Sequence, residues 1–185
     1  MPIAPGTTAV SGAIEADTIW YSGASPYIIE KDVIVRDKAL LTIEPGTEIK
    51  SKGGALIIEG RINAEGDNDH IISFDSLEEG KLWTGIRFAN VKNKENIIKF
   101  VRIKNAGTAV NCQASSPQIA MSEFTENKEA LKIQGAFSKP SVIKNSFYKN
   151  KGVAITVIDG AAPVIKENSL QDNENSGLLV QSAAP

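Results

Sequence analysis

The chain has 185 residues, 42% hydrophobic and 23% charged, enough to bury a core in one domain or at most two small ones. Its net charge of −2 lacks the basic excess that displaces counterions from nucleic acid, and no polybasic segment or long apolar run offers a membrane attachment or span. One cysteine (Cys112) and one histidine (His70) exclude an internal disulfide and leave almost no basis for a zinc site.

Residues 1–8 show no basic stretch followed by an apolar core, so no secretory leader is visible in this chain. Residues 1–27 read as an N-terminal segment and cap, with Trp20 and Tyr27 expected to cover the open first turn of a body formed by residues 28–185. Short strands then follow one another. They occupy 40–49, 55–62, 71–74 and 83–88, and then 97–105 with Ala109 and Val110. Gly, Pro, Asn and Asp turns separate them, and helical spacing of apolar residues is not sustained anywhere. Residues 77–81 are the expected excursion from the body, and Trp83 is expected to open a coil.

The last third repeats. Pro117, Pro140 and Pro163 advance in steps of 23, and Phe124, Phe147 and Leu170 keep that step, as do Asn127, Asn150 and Asn173. Asn105 precedes Asn127 by 22, and Pro185 follows Pro163 by 22. The second half of each copy is an apolar strand, at 130–133, 153–157 and 177–180. Such a unit cannot bury its apolar side alone, but stacked copies can, because each side chain lands on its equivalent about 4.8 Å away. The pattern predicts an all-β solenoid with coils of about 22–23 residues. Asn105, Asn127, Asn150 and Asn173 are expected to form an internal amide ladder, since Asn tolerates the left-handed backbone and bonds to the coil beside it. A row of ligand contacts is the other use of the same positions.

The unit Pro-x-Ile/Val-x-x-Asn-x-Phe-x-x-Asn resembles the right-handed parallel β-helix repeat of the pectate-lyase-like superfamily. The N-terminal half is similar to the first coils of bacterial secreted and surface β-helix proteins. Leu41-Thr42-Ile43-Glu44-Pro45-Gly46-Thr47, the segment 56–66 and Trp83-Thr84-Gly85-Ile86 carry that likeness. The resemblance covers about residues 14–182 and implies an extracellular or cell-surface setting. It is specific for the fold and says little about function, since the superfamily includes lyases, hydrolases, epimerases, tailspikes and adhesins.

No catalytic set assembles. Arg102-Ile103-Lys104 resembles one element of polygalacturonase-type sites, but no Asp pair and no Gly-His-Gly accompany it. Alternation places Ile103 inward and both cations outward. Glu65-Gly66-Asp67-Asn68-Asp69, beside His70, is the densest carboxylate group. It reads as a solvated turn, with a weak Ca²⁺ site at Asp67 and Asp69 as the alternative. Tyr148 faces outward beside the inward Phe147. Asp67, Asp69, Arg102 and Tyr148 are therefore the ligand-binding candidates; no catalytic residue, metal or cofactor is assigned. The expectation is a non-enzymatic secreted or surface module, structural, adhesive or glycan-binding, whose partner is a polysaccharide or cell-surface glycan. The alternative is a polysaccharide-active enzyme of lyase, hydrolase or epimerase type, or a fragment of one. The regular final copy, with Leu178, Leu179 and Val180 in its strand, leads to an expectation of end-to-end self-association.

Overall fold

The computed structural model describes residues 6–89, 91 and 95–181. Expectations that fall on residues 1–5 and 182–185, Pro185 included, lie outside them. The described residues wind as a parallel β-solenoid of about seven coils, at residues 18–35, 40–58, 61–89, 97–113, 118–134, 141–158 and 164–181. Each coil crosses three faces. Face 1 is a seven-stranded parallel sheet running from Thr18–Trp20 to Val164–Lys166. Faces 2 and 3 form one 14-stranded sheet, joined through the long strand Tyr27–Val35. Its first half pairs with Glu48–Ser51 on face 2, and its second half with Ala55–Ile58 on face 3. Corner 1 leads from face 1 to face 2, corner 2 from face 2 to face 3, and corner 3 returns to face 1.

Period-two alternation sends every second side chain inward, and parallel register stacks equivalents into rows. On face 2 the row is Ile49, Phe74, Ile103, Phe124, Phe147 and Leu170. On face 3 it is Leu56, Ile86, Val110, Leu131 and Ile155. Phe124 and Phe147 stack with ring centroids 4.8 Å apart and planes within 8°. Cys112 sits in a neighbouring row between Phe88 and Ile133, fully buried, where desolvation pushes its thiol far up. It is a small core residue, not a reactive one.

The coil length is less uniform than the repeat suggests. The face 1 step is 23 residues from Gln118 to Ser141 to Val164, but 21 from Ile97 to Gln118 and 34 from Asn63 to Ile97. The extra length of the third coil includes the excursion between Ile72–Ser76 and Gly85–Ala89. Trp83 therefore does not open a coil. It enters the face 3 strand midway through one, buried over Phe74 at 6.0 Å, with Nε1 donating to the Lys104 carbonyl.

The division expected at residues 27 and 28 does not fall where the coils begin. Thr18–Trp20 already pairs with the face 1 strand of the second coil, and Thr8–Ile14 lies along the whole of Tyr27–Val35. Trp20 and Tyr27 are core residues of the first coil, stacked at 4.9 Å.

In the fourth to seventh coils, corners 1 and 2 each contain one non-glycine residue in the left-handed region. At corner 1 these are Phe100, Met121, Lys144 and Glu167, and at corner 2 Asn105, Glu126, Lys149 and Asp172, with φ between 47° and 59°. The residue after each points inward and carries the ladder. At corner 2 the Ala106 N–H donates to Asn127 Oδ1 (2.9 Å), and Asn127 and Asn150 continue the chain of bonds to Asn173. Asn105 is not a rung: it is the left-handed corner residue, and its amide reaches Asp75 Oδ1 at 2.8 Å. The step there is 21 residues, which puts Ala106 in phase with Asn127.

A second ladder runs up corner 1, from the Val101 N–H to Ser122 Oγ, Ser122 N–H to Asn145 Oδ1, and Asn145 N–H to Asn168 Oδ1. In the first two coils the direction reverses. There, Asp17, Ser25 and Asp32 of the first coil accept from the N–H groups of Leu40, Glu48 and Ala55 of the second.

Candidate functional site

Stacking leaves each outward side chain beside its equivalents on adjacent coils, and charge complementarity along these columns is extensive. Arg36 bonds Glu59 (3.0 Å), Lys52 bonds Glu30 (2.7 Å), Lys99 bonds Glu65 (2.6 Å) and Lys104 bonds Glu126 (3.2 Å), each from one coil to the next. These pairs are partly exposed and individually weak, but they repeat along the stack.

Asp67 and Asp69 sit at corner 1 of the third coil, in the turn between Arg61–Glu65 and Ile72–Ser76. Gly66 is required there, because a Cβ would stand 2.6 Å from the Phe100 carbonyl oxygen. Asp67 Oδ1 accepts the N–H groups of Asp69 (2.9 Å) and His70 (2.8 Å) and lies 3.1 Å from His70 Nδ1. Desolvation acts to raise its carboxyl, but these hydrogen bonds from Asp69 and His70 outweigh it and hold the group below its usual range. Its oxygens thus organise the turn. Among the described residues no three His, Cys, Asp or Glu side chains gather as metal ligands.

Arg102 lies on face 2 of the fourth coil, with Nε donating to Glu123 Oε2 at 2.9 Å. Tyr148 lies on face 2 of the sixth coil, in a different outward column, beside Thr125 and Gln171. The Lys149 ammonium stands 4.9 Å from its ring centroid. A hydrogen bond to the Tyr148 hydroxyl, followed by the field of that group, raises the Lys149 ammonium above its ordinary value. The four candidates therefore share one side of the solenoid but do not converge: Asp67 is engaged in its own turn, Arg102 in an ion pair, and Tyr148 with Lys149.

Three depressions flank this side. One, of about 730 Å³, follows corner 2 past Leu82, Thr84, Thr108, Lys128, Glu129 and Asn175. Glu129 is held within it by the hydroxyls of Thr108 (3.2 Å) and Thr156 (2.9 Å). A second, of about 550 Å³, lies under the excursion, between Glu78, Glu79, Lys104 and Lys151. The third, of about 380 Å³, follows corner 1 between Asn68, Ile71, Phe100, Met121, Glu123 and Lys144. It is the one that adjoins the Asp67 turn and the Arg102–Glu123 pair. Phe100 interrupts the strand expected over 97–105, which is two strands, Ile97–Lys99 and Val101–Lys104; nothing in an Ile-Lys-Phe-Val string, or in Ala-Met-Ser around Met121, marks a residue as a left-handed corner.

Among the described residues no helix is long and apolar enough to cross a membrane. A family model described as the right handed beta helix region matches residues 18–184. Neither the curated proteins nor the solved structures contain a match to the chain.

Proposed function

The chain belongs to the right-handed β-helix family, and on that premise we propose that it is a non-enzymatic module of the cell surface or extracellular space, with a structural, adhesive or glycan-binding role. The observation that carries this reading is the engagement of the outward charges. Arg36, Lys52, Lys99, Arg102 and Lys104 each hold a carboxylate on a neighbouring coil. Groups bound in that way brace the stack; a general acid or base must instead be poised near substrate with a tuned pKa. The extracellular setting draws on the likeness of residues 41–47 and 56–66 to surface β-helix proteins.

The rival reading, a polysaccharide lyase, hydrolase or epimerase, would need Asp67, Asp69 and Arg102 to act together. Incubation with uronic-acid and neutral polysaccharides, followed by assay of reducing ends and unsaturated products, separates the two. The expected result is binding on a glycan array without product. Turnover that survives purification and disappears on substitution of one of those three residues would sink the proposal.

A further inference from the structure

The left-handed corner residues differ between the two corners in a way that coil stacking does not require. At corner 2 all four are polar, Asn105, Glu126, Lys149 and Asp172, and at corner 1 the last two are Lys144 and Glu167. The fourth and fifth coils instead place Phe100 (φ 50°) and Met121 (φ 47°) at corner 1. A bulky side chain pays a steric cost in that region, and these two also turn apolar surface toward water. Met121 is 40% exposed and Phe100 half-buried. Ile71, 38% exposed, precedes the paired Ile72 and Val101 and so stands at the same corner in the third coil.

Ile71, Phe100 and Met121 thus form an apolar strip climbing three coils, about 10 Å at the spacing of stacked strands. The strip lines the corner 1 depression. Corners 1 and 2 of the fourth to seventh coils all share the left-handed backbone, so what sets this one apart is solvent-exposed apolar surface lying in a concavity, which points to a ligand site. The rim supplies the Asn68 amide, the Glu123 carboxylate and the Ser146 hydroxyl. Its charges are balanced: Glu123 is held by Arg102 at 2.9 Å, Lys144 lies 3.6 Å from Glu167, and the Lys99 ammonium, 5.6 Å from the Phe100 ring centroid, is paired with Glu65 at 2.6 Å.

We infer that this strip binds consecutive pyranose rings of a neutral glycan, with the apolar ring faces on Phe100 and Met121 and the hydroxyls on the polar rim. A uronic-acid chain would find no uncompensated cation along the strip. An apolar protein helix would bury the Asn68 amide and the Ser146 hydroxyl against a surface that offers them no hydrogen bond, which costs more than the strip returns. A pyranose presents both kinds of surface at once. This assignment rests on the glycan-binding arm of the function proposed above.

The chain has two methionines, Met1 and Met121, so methyl-¹³C methionine labelling of the full chain gives a near-solitary reporter in the strip. The probes are soluble hexaoses of β-1,4-glucan, β-1,3-glucan, β-1,4-mannan and β-1,4-xylan, with hexagalacturonate as the charged comparison. The expected result is a saturable shift of the Met121 methyl with at least one neutral series. Phe100→Ser and Met121→Lys should each weaken that binding at least tenfold, and Met121→Lys keeps the test intact if Phe100→Ser does not fold. The assignment is overturned, with the broader glycan reading left standing, if a sugar bound on the array leaves the Met121 methyl and both variants' affinities unchanged. It is likewise overturned if hexagalacturonate binds the strip as well as the neutral series, or if the methyl shifts with protein concentration alone. An array blank for every glycan, with a silent methyl, overturns both.

Discussion

Asn150 Oδ1 accepts two hydrogen bonds from one residue of the preceding coil, the Asn127 backbone N–H at 3.1 Å and the Asn127 side-chain Nδ2 at 3.0 Å. Asn150 Nδ2 in turn donates to the Phe124 carbonyl (2.9 Å) and to Asn173 Oδ1 (2.8 Å), and the residue is wholly buried. Substitution by Leu removes an acceptor and a donor that no water can replace. Asn150→Leu should cost about 1–3 kcal/mol in chemical denaturation. Lys132→Ala, outward on the neighbouring face, is the control. Equal midpoints for the two variants would refute the ladder's contribution.

Gly85 and Gly80 both have positive φ, 112° and 73°, yet only Gly85 meets a neighbour. A Cβ on Gly85 would stand 1.8 Å from the Thr108 carbonyl oxygen, whereas one on Gly80 meets nothing within 4 Å. Gly80→Ala should cost about 1 kcal/mol, for conformation alone. Gly85→Ala must also push the third and fourth coils apart and should cost about 3 kcal/mol or more. Thermal melts of the pair measure the difference.

Lys144 is a left-handed residue (φ 57°) whose ion pair with Glu167 is exposed and 3.6 Å long. Such a pair contributes little, while Asn occupies that backbone region more readily. Lys144→Asn should therefore raise the denaturation midpoint, by about 0.5–1 kcal/mol in stability. A lower midpoint would mean that the Lys144 side chain contributes more than its geometry indicates.

Glu30 and Asp67 lie below their ordinary values: Glu30 chiefly through the hydrogen bond from Lys52, and Asp67 because hydrogen bonds from Asp69 and His70 overcome desolvation. A depressed carboxyl contributes stability that is present above its unfolded pKa and lost as pH falls through its folded one. Their contribution should thus be complete above about pH 4.5 and fade below it. Urea midpoints from pH 6 to pH 3 should fall more steeply for the wild type than for a Glu30→Gln, Asp67→Asn double variant. Parallel curves would count against both interactions.

The last described strand, Leu178–Gln181, pairs with Ile155–Ile158 on one side only, and Val180 is 64% exposed. An unpaired strand edge with apolar side chains templates association. Sedimentation of this chain should show mass increasing with concentration, and Val180→Lys should reduce the effect. A concentration-independent monomer in both cases would exclude end-to-end contact.

The regular coils were legible because their landmarks repeat in one phase: Pro117, Pro140 and Pro163 fix the register, and Phe124 stacking on Phe147 is its direct consequence. Asn105 was misplaced because an Asn one residue before a rung is also at home at a corner, and a step of 22 cannot be told from one of 21 by residue type. The first coils were harder still. Asp17, Ser25 and Asp32 perform there, in the opposite direction, what Asn performs later, so no recurrent letter marks them. The apolar strip at corner 1 was hidden for a related reason: Phe100 and Met121 look like core residues until backbone conformation shows that they point outward.

Corner 2 spans residues 52–54 in the second coil and residues 77–84 in the third, yet Ser51 still pairs with Ser76 and Ala55 with Gly85. The register is held by the strands on either side, and lengthening a closed loop costs only weakly with its size. A corner can therefore accept inserted chain without retuning the core beneath it. In evolutionary terms the solenoid separates two kinds of change: substitutions in the inward rows are coupled to neighbours above and below, whereas insertions at the corners are nearly free. New recognition surfaces can be grown on such a chassis one loop at a time, and the corner at residues 77–84 is longer than its equivalent at residues 52–54 with the strands still in register.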